Sequence, residues 1–132
     1  MNITYKTNVL PLLEEIISVY DSSGLNRPTA DKNRIAEMYK HSNLVVTAWH
    51  DDQLVGIARS LTDFCHCCYL ADLAVSATYQ KSGIGKELVK LTKATIGDKS
   101  MLLLLAAPTA IEYYPKIGMD VVNNGFIINR VK

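Results

Sequence analysis

The stretch from Cys67 to Ala106 constrains the fold most. Cys67 to Val75 reads as a buried strand, residues 83–96 place Ile84, Leu88 and Leu91 at helical spacing, and Met101 to Ala106 is apolar without a break. The hydrophobic period therefore changes from that of a strand to 3.6 and back again. A strand apolar at every position is the kind covered on both faces. Strand, helix and strand in that order predict a parallel pair joined by a right-handed crossover. Gly97-Asp98-Lys99 supplies the stop between the helix and the second strand.

The flanking segments fit around this unit. A short first strand is expected over residues 2–7. Pro11 suits the start of a helix carrying Leu12, Leu13, Ile16, Ile17 and Tyr20, with Gly24 at its exit. A loop over residues 25–30 leads to a second helix over about 31–40, with Ile35, Met38 and Tyr39 on its apolar side. Leu44 to Trp49 and Leu54 to Leu61 read as strands around the polar turn His50 to Gln53, with Gly56 a bulge or close-approach position. With the strand ending at Val75 they make an antiparallel meander. Thr109 and Glu112 have capping-box spacing for a short helix over about 110–116, and Gly118 suits its exit. Asn124-Gly125 is a two-residue hairpin signal, and Phe126 to Val131 is expected to be a final strand.

Composition narrows the class. A chain of 132 residues, 48% apolar and 20% charged, suits one folded domain over residues 1–132. The formal charge of +1 and the absence of a basic stripe give no support to nucleic acid as a partner. The longest apolar run is too short to span a bilayer, so no membrane partner is expected. The N-terminal residues lack the basic start and apolar core of a secretory signal, which makes a cytoplasmic location the expectation. Cys65, Cys67 and Cys68 are odd in number and crowded together, which is no disulfide framework. They have no second ligand pair, and no metal is expected.

Residues 80–86, Gln-Lys-Ser-Gly-Ile-Gly-Lys, lie between the buried strand and the helix. Gly83 and Gly85 let ligand atoms approach the backbone. The helix that follows leaves its first amides unpaired and its positive dipole end facing the loop. Lys81 and Lys86 add charge, so the loop is suited to phosphate. A dinucleotide fingerprint would require glycine where Leu88 stands, and a nucleotide P-loop would require Ser or Thr where Glu87 stands. A tight turn with no ligand is the plain alternative.

Gln80-x-x-Gly83-x-Gly85, five residues after Val75, resembles the coenzyme A pyrophosphate loop of the GNAT family of N-acetyltransferases. Tyr113-Tyr114-Pro115-Lys116-Ile117-Gly118-Met119 resembles a second segment of that family, and the order of elements is similar from about residue 3 to residue 131. The chain also resembles compact bacterial members that carry a Leu-Asn-Arg-Pro loop, here residues 25–28, and end in Gly-Phe-Ile-Ile-Asn-Arg, here residues 125–130. The resemblance implies an α/β (in some schemes α+β) acyl-CoA N-acyltransferase fold: a mixed central sheet of about six or seven strands flanked by about four helices. The sheet should splay between the strands ending near Val75 and Ala106.

It implies transfer of an acetyl group from acetyl-CoA, as cosubstrate, to a primary amine of a small molecule or peptide, by direct attack in a ternary complex. Leu73, Ala74 and Val75 would pair with the pantetheine arm and supply the oxyanion donor. Gln80, Lys81, Ser82, Gly83, Ile84, Gly85 and Lys86 would form the pyrophosphate loop, with Thr109 and Tyr113 flanking the arm. Tyr114 matches the family's general acid, and Asp72 or a water is the candidate base. Pro115 departs from the pattern and leaves the aim of Tyr114 open. Met119 replaces the usual aromatic residue. Arg27, Arg59, Asp63 and Asn124 are the candidates for amine selection, on the loop 25–31, the strand 57–63 and the terminal hairpin. An acyl-CoA-binding sensor, or an acyltransferase that does not acetylate amines, is the alternative. Short final strands would leave an edge on which a homodimer could form.

Overall fold

The computed structural model describes residues 2–132. Five strands form one sheet in sequence order: β1 (Ile3–Thr7), β2 (Leu44–His50), β3 (Gln53–Thr62), β4 (Cys67–Val75) and β5 (Met101–Leu103). The first four are antiparallel, and β5 joins β4 in parallel. Helices α1 (Leu13–Ser23) and α2 (Lys32–Lys40) precede β2, while α3 (Ile84–Ile96) crosses from β4 to β5. A single turn, α4 (Tyr113–Lys116), follows β5. The mixed sheet with four helices is the expected fold with fewer strands, because the terminal hairpin does not form.

Local chemistry explains the element ends. Gly24 closes α1 at φ 81°, and Asp31 caps α2 by accepting from the Arg34 amide at 3.1 Å. Gly83, at φ 85°, turns the chain into α3. Both faces of the sheet are covered. Ile16, Val19 and Tyr20 of α1 and Ile35 and Tyr39 of α2 pack on one face against Val45, Trp49, Leu54 and Ile57. Ile84, Leu88 and Ile96 of α3 pack on the other against Val46, Ala48, Val55 and Ala58.

Gly56 allows that second packing. A Cβ there would stand 3.1 Å from Ile84 Cγ2 and 3.2 Å from Leu88 Cδ1. The register also slips at this point: Ala48 faces Gly56, Trp49 faces Leu54, and Val55 is the extra residue. Gly56 is thus both beside a bulge and at a close approach.

The segment after β5 departs from expectation. The chain makes a 3-10 turn at Pro108–Ala110 and then α4, rather than one helix over 110–116, and Thr109 caps nothing. Beyond Met119 neither the Asn124-Gly125 hairpin nor the final strand is present.

Candidate active site

A bulge in β4 organises the site. Arg59 of β3 faces Asp72, the next residue Ser60 faces Leu70, and Ala71 is extra. An extra residue shifts side-chain parity by one, which moves every later side chain to the other face. Before the bulge Cys68 and Leu70 join the α3 layer; after it Leu73 and Val75 do, while Ala74 joins the α1–α2 layer. Asp72 follows the shifted parity toward α1. A regular strand would put Tyr69 and Asp72 on opposite faces; the bulge puts them on the same one.

The parallel pairing ends at the same place. Tyr69 opposite Leu103 is the last β4–β5 pair, two residues before the bulge, while β4 runs on to Val75. The expected splay is therefore present. It opens a cleft of about 620 Å³ lined by Leu73, Ala74 and Val75 on one side and Leu104, Leu105 and Ala107 on the other. That volume suits a small-molecule site.

One end of the cleft is the start of α3. The first intrahelical bond there is Glu87 N–H to Gly83 O at 3.0 Å, so the amides of Ile84, Gly85 and Lys86 have no acceptor within the helix. No side chain caps them. Two hydrogen bonds shape the preceding loop. Gln80 Nε2 donates to Val75 O at 2.9 Å, and Ser82 Oγ donates to Tyr79 O at 2.5 Å. Lys81 adopts φ 65° and Gly83 φ 85°. Lys81, Gly83, Ile84, Gly85 and Lys86 line the cleft, as does Gln80, whereas Ser82 is spent on the loop itself. Free amides, two lysines and a helix dipole fit a pyrophosphate.

The other wall carries Thr109, Tyr113 and Tyr114. The Tyr113 hydroxyl lies so close to α3 that a Cβ at Gly85 would meet it at 2.8 Å, which is the tight approach Gly85 permits. Tyr113 and Tyr114 stand edge to face, 5.2 Å between centroids. Burial, then the neighbouring Tyr113, raises the Tyr114 pKa, so its hydroxyl is protonated at neutral pH. Pro115 disrupts nothing: it lies in the first turn of a four-residue helix, where no intrahelical donor is required. Met119 N–H donates to Tyr114 O at 3.1 Å and Gly118 N–H to Pro115 O at 3.1 Å. This Schellman closure, with Gly118 at φ 94°, fixes the backbone that carries Tyr114.

Behind the cleft lies a buried polar cluster. Asp72, 1% exposed, accepts from Arg59 Nε at 2.6 Å and Tyr20 Oη at 2.8 Å through Oδ2, and from Arg27 Nε through Oδ1. Tyr39 Oη pairs with Tyr20 Oη, and Arg59 Nη1 reaches Ser42 Oγ at 3.0 Å. Burial by itself would raise the Asp72 pKa; the hydrogen bonds and charges of Arg59 and Arg27 outweigh it and hold the carboxyl below the usual range. Burial raises both tyrosines, which stay protonated. Arg27 also donates through Nη2 to Ala71 O at 2.8 Å, binding the bulge to the loop that follows α1.

The expected site residues therefore do not all share one place. Leu73 to Val75, the glycine loop, Thr109, Tyr113 and Tyr114 converge on the cleft. Arg27 reaches the cleft edge with its guanidinium already bonded. Asp72 and Arg59 lie behind the cleft wall and pair with each other. Asp63 organises the β3–β4 turn, its Oδ1 accepting from the amides of Cys65, His66 and Cys67 at 2.8–3.0 Å, which pulls its pKa down. Asn124 lies on the exposed segment after Met119. Tyr20 and Tyr39 are the members that sequence reasoning missed. Their signal was Arg59, a charge inside an apolar strand, which has to meet an opposite charge. Burial, first for Cys67 and Cys68, and Asp63, first for Cys65, raise the three thiol pKa values. Among the described residues no cluster of His, Cys, Asp or Glu could hold a metal.

A splayed mixed sheet with an uncapped helix start at its mouth is the architecture of the acyl-CoA N-acyltransferase fold. Residues 10–119 match the model of the acetyltransferase (GNAT) family, and the chain belongs to that family. Over 98 residues it is 30% identical to an uncharacterised ycf52-like N-acetyltransferase of Prochlorococcus marinus, covering 70% of this chain and 54% of that protein, so the chain spans about half that relative's length. A GNAT-family acetyltransferase of Streptococcus pneumoniae shares the fold at a TM-score of 0.78 and 23% identity, covering 98% of this chain and 99% of that one. A protein of unknown function from meticillin-resistant Staphylococcus aureus does so at a TM-score of 0.82 and 19% identity, with coverage of 98% and 100%.

The buried cluster leads to a stability prediction. The folded pKa of Asp72 lies below its unfolded value of about 3.9. Its contribution is therefore complete above about pH 4 and lost as the pH falls through the folded pKa. Asp72→Asn is expected to cost about 3–5 kcal/mol at pH 7 in urea unfolding, because Arg59 is left buried without its counter-charge. Below about pH 4 the native protein should lose stability faster than the variant.

Proposed function

We propose that the chain transfers the acetyl group of acetyl-CoA to a primary amine by direct attack in a ternary complex. The observation that carries this reading is the convergence of Tyr114 and the uncapped start of α3 on the cleft where β4 and β5 part. The free amides at the start of α3, with Lys81 and Lys86, hold the cofactor's pyrophosphate. The backbone of Leu73 to Val75, which no β5 partner engages, is available to pair with the pantetheine arm. A β4 amide is the donor for the charge that develops on the acetyl oxygen. Holding both reactants in one cleft supplies much of the acceleration.

Tyr114 gives its proton to the departing thiolate. Its raised pKa suits the task, since the hydroxyl is a ready donor at neutral pH. Asp72 does not serve as the base in this account: both of its oxygens are engaged, and it sits behind the cleft wall. Among the described residues the cleft lining contains no carboxylate or histidine. The amine therefore releases its proton to water, and the enzyme acts on the fraction already neutral.

Two measurements test this. Tyr114→Phe should lower kcat by about 10²–10⁴-fold with the affinity for CoA within a few-fold of the parent, read as thiol release and by titration calorimetry. Unchanged turnover would remove Tyr114 from the reaction, and CoA binding without turnover on any amine would favour a sensor. Across a panel of amines, the apparent pKa of kcat/KM should follow each amine's own pKa. One fixed value near 6–7 for every amine would instead reveal a base on the protein.

A further inference from the structure

The end of the cleft away from α3 has a chemistry of its own. Val75 adjoins the glycine loop, and β4 leads back from it through Leu73 to Ala71 and Leu70 at the bulge. A cofactor with its pyrophosphate at the start of α3 and its arm along Val75 to Leu73 brings its thioester toward that bulge. The acceptor has to meet it there. Leu104 and Leu105 follow Leu103, the last residue paired with β4, so they face the same end. Its walls are Leu25, Leu70, Leu104 and Leu105, with Arg27 at the edge.

The charges around the cleft are all of one sign. Arg27, Lys81 and Lys86 line it, and among the described residues no carboxylate or histidine does. The two lysines belong to the glycine loop, which leaves Arg27 for the acceptor end. Its Nε–H goes to Asp72, one Nη1–H to Asn26 O at 2.7 Å and one Nη2–H to Ala71 O at 2.8 Å. A guanidinium has five N–H donors, so two remain. Charge remains as well, because Asp72 also serves Arg59, and two guanidiniums on one carboxylate leave a positive charge over. Arg27 is the member that reaches the surface, 27% exposed in its side chain against 10% for Arg59.

These features select among amines. A polyamine or aminosugar would bring ammonium groups into a cleft that offers cations and no counter-charge, and a desolvated unpaired charge is costly. An alkylamine with a lysine-like pKa of about 10.4 is neutral in only about one part in 10³ at pH 7. No lining side chain is placed to take up the proton it must lose. An arylamine avoids both difficulties: its lone pair is delocalised into the ring, and it is neutral at pH 7. Its apolar ring suits leucine walls.

We infer that the acceptor is an arylamine carrying a carboxylate, with its ring among the leucines and its carboxylate on the two free N–H groups of Arg27. The inference rests on the acetyl-transfer reading and names the substrate class of that same cleft. The amine lone pair forms the C–N bond at the acetyl carbon, and the C–S bond breaks with its electron pair going to sulfur. The thiolate takes the Tyr114 proton. The nitrogen releases one proton to water, and water reprotonates Tyr114. The products are the N-aryl acetamide and CoA.

Thiol release at pH 7 with acetyl-CoA should give meta- or para-aminobenzoate a kcat/KM about 10-fold or more above aniline, phenethylamine and spermidine. Arg27→Gln should bring the ratio of aminobenzoate to aniline down to about 1, and general damage to the fold cancels in that ratio. With CoA bound, aminobenzoate should shift the backbone amides of Leu70 and Ala71 in nuclear magnetic resonance spectra, and spermidine should not. A higher kcat/KM for spermidine or phenethylamine would overturn the inference and leave acetyl transfer standing. So would equal turnover of aniline and the aminobenzoates, or a ratio unmoved by Arg27→Gln, since nothing would then read the carboxylate. Absence of thiol release with every amine at any pH would overturn both readings. Should Arg27→Gln fail to fold, the ratios measured on the native chain decide by themselves.

Discussion

The charge-assisted hydrogen bonds on Asp72 hold together the three pieces that build the cleft. Arg27 comes from the loop after α1, Arg59 from β3, and Tyr20 from the buried face of α1. All three converge on one carboxylate that directly follows the extra residue of β4. A buried charge survives only when it is paired and bonded. This one is bonded through both oxygens. Because Arg27 also binds the Ala71 carbonyl, the cluster pins the bulge itself. The bulge turns Leu73 and Val75 toward the α3 side, and the chain beyond it runs free of β5. Position and charge are thus linked: the acid that resembles a base from its place on the strand is the fastener behind the wall.

The electrostatics of the two sides of β4 differ accordingly. Behind the strand one buried carboxylate is shared by two guanidiniums, that of Arg59 largely buried and that of Arg27 partly exposed. In front of it the cleft has unpaired amides at a helix start, lysines around them, and protonated tyrosines opposite. A surface of that kind attracts an anion at one end and can surrender a proton at the other. The Schellman closure after α4 fixes the backbone of Tyr114 through hydrogen bonds to its own carbonyl.

How much of this was legible in the sequence follows from what leaves a mark on residue type. The α3 stripe, the bounds of α2 and the glycine exits are local, and all stand within a residue or two of their expected places. The glycine loop was legible for the same reason. The Ala71 bulge left no mark. With both faces of β4 covered, a parity change alters which layer a side chain joins without altering its type. β5 was expected to run to Ala106 and ends at Leu103, because an apolar run records burial and not hydrogen bonding. The Asn124-Gly125 hairpin is absent for a related reason: a local turn signal favours a hairpin but does not by itself supply the cross-strand pairing. Arg59 was read as a candidate for amine selection although it interrupts an apolar strand, which is the mark of a buried ion pair.

Cofactor binding in the cleft requires the α3 amides and the free stretch of β4 to belong to one site. The direct measurement is a nuclear magnetic resonance titration of the backbone amides with CoA. The largest shifts should fall on Ile84, Gly85 and Lys86 together with Leu73 to Val75, while amides along β1 stay still. Shifts confined to the loop would leave β4 outside the site, and no shifts at saturating CoA would contradict the account as a whole.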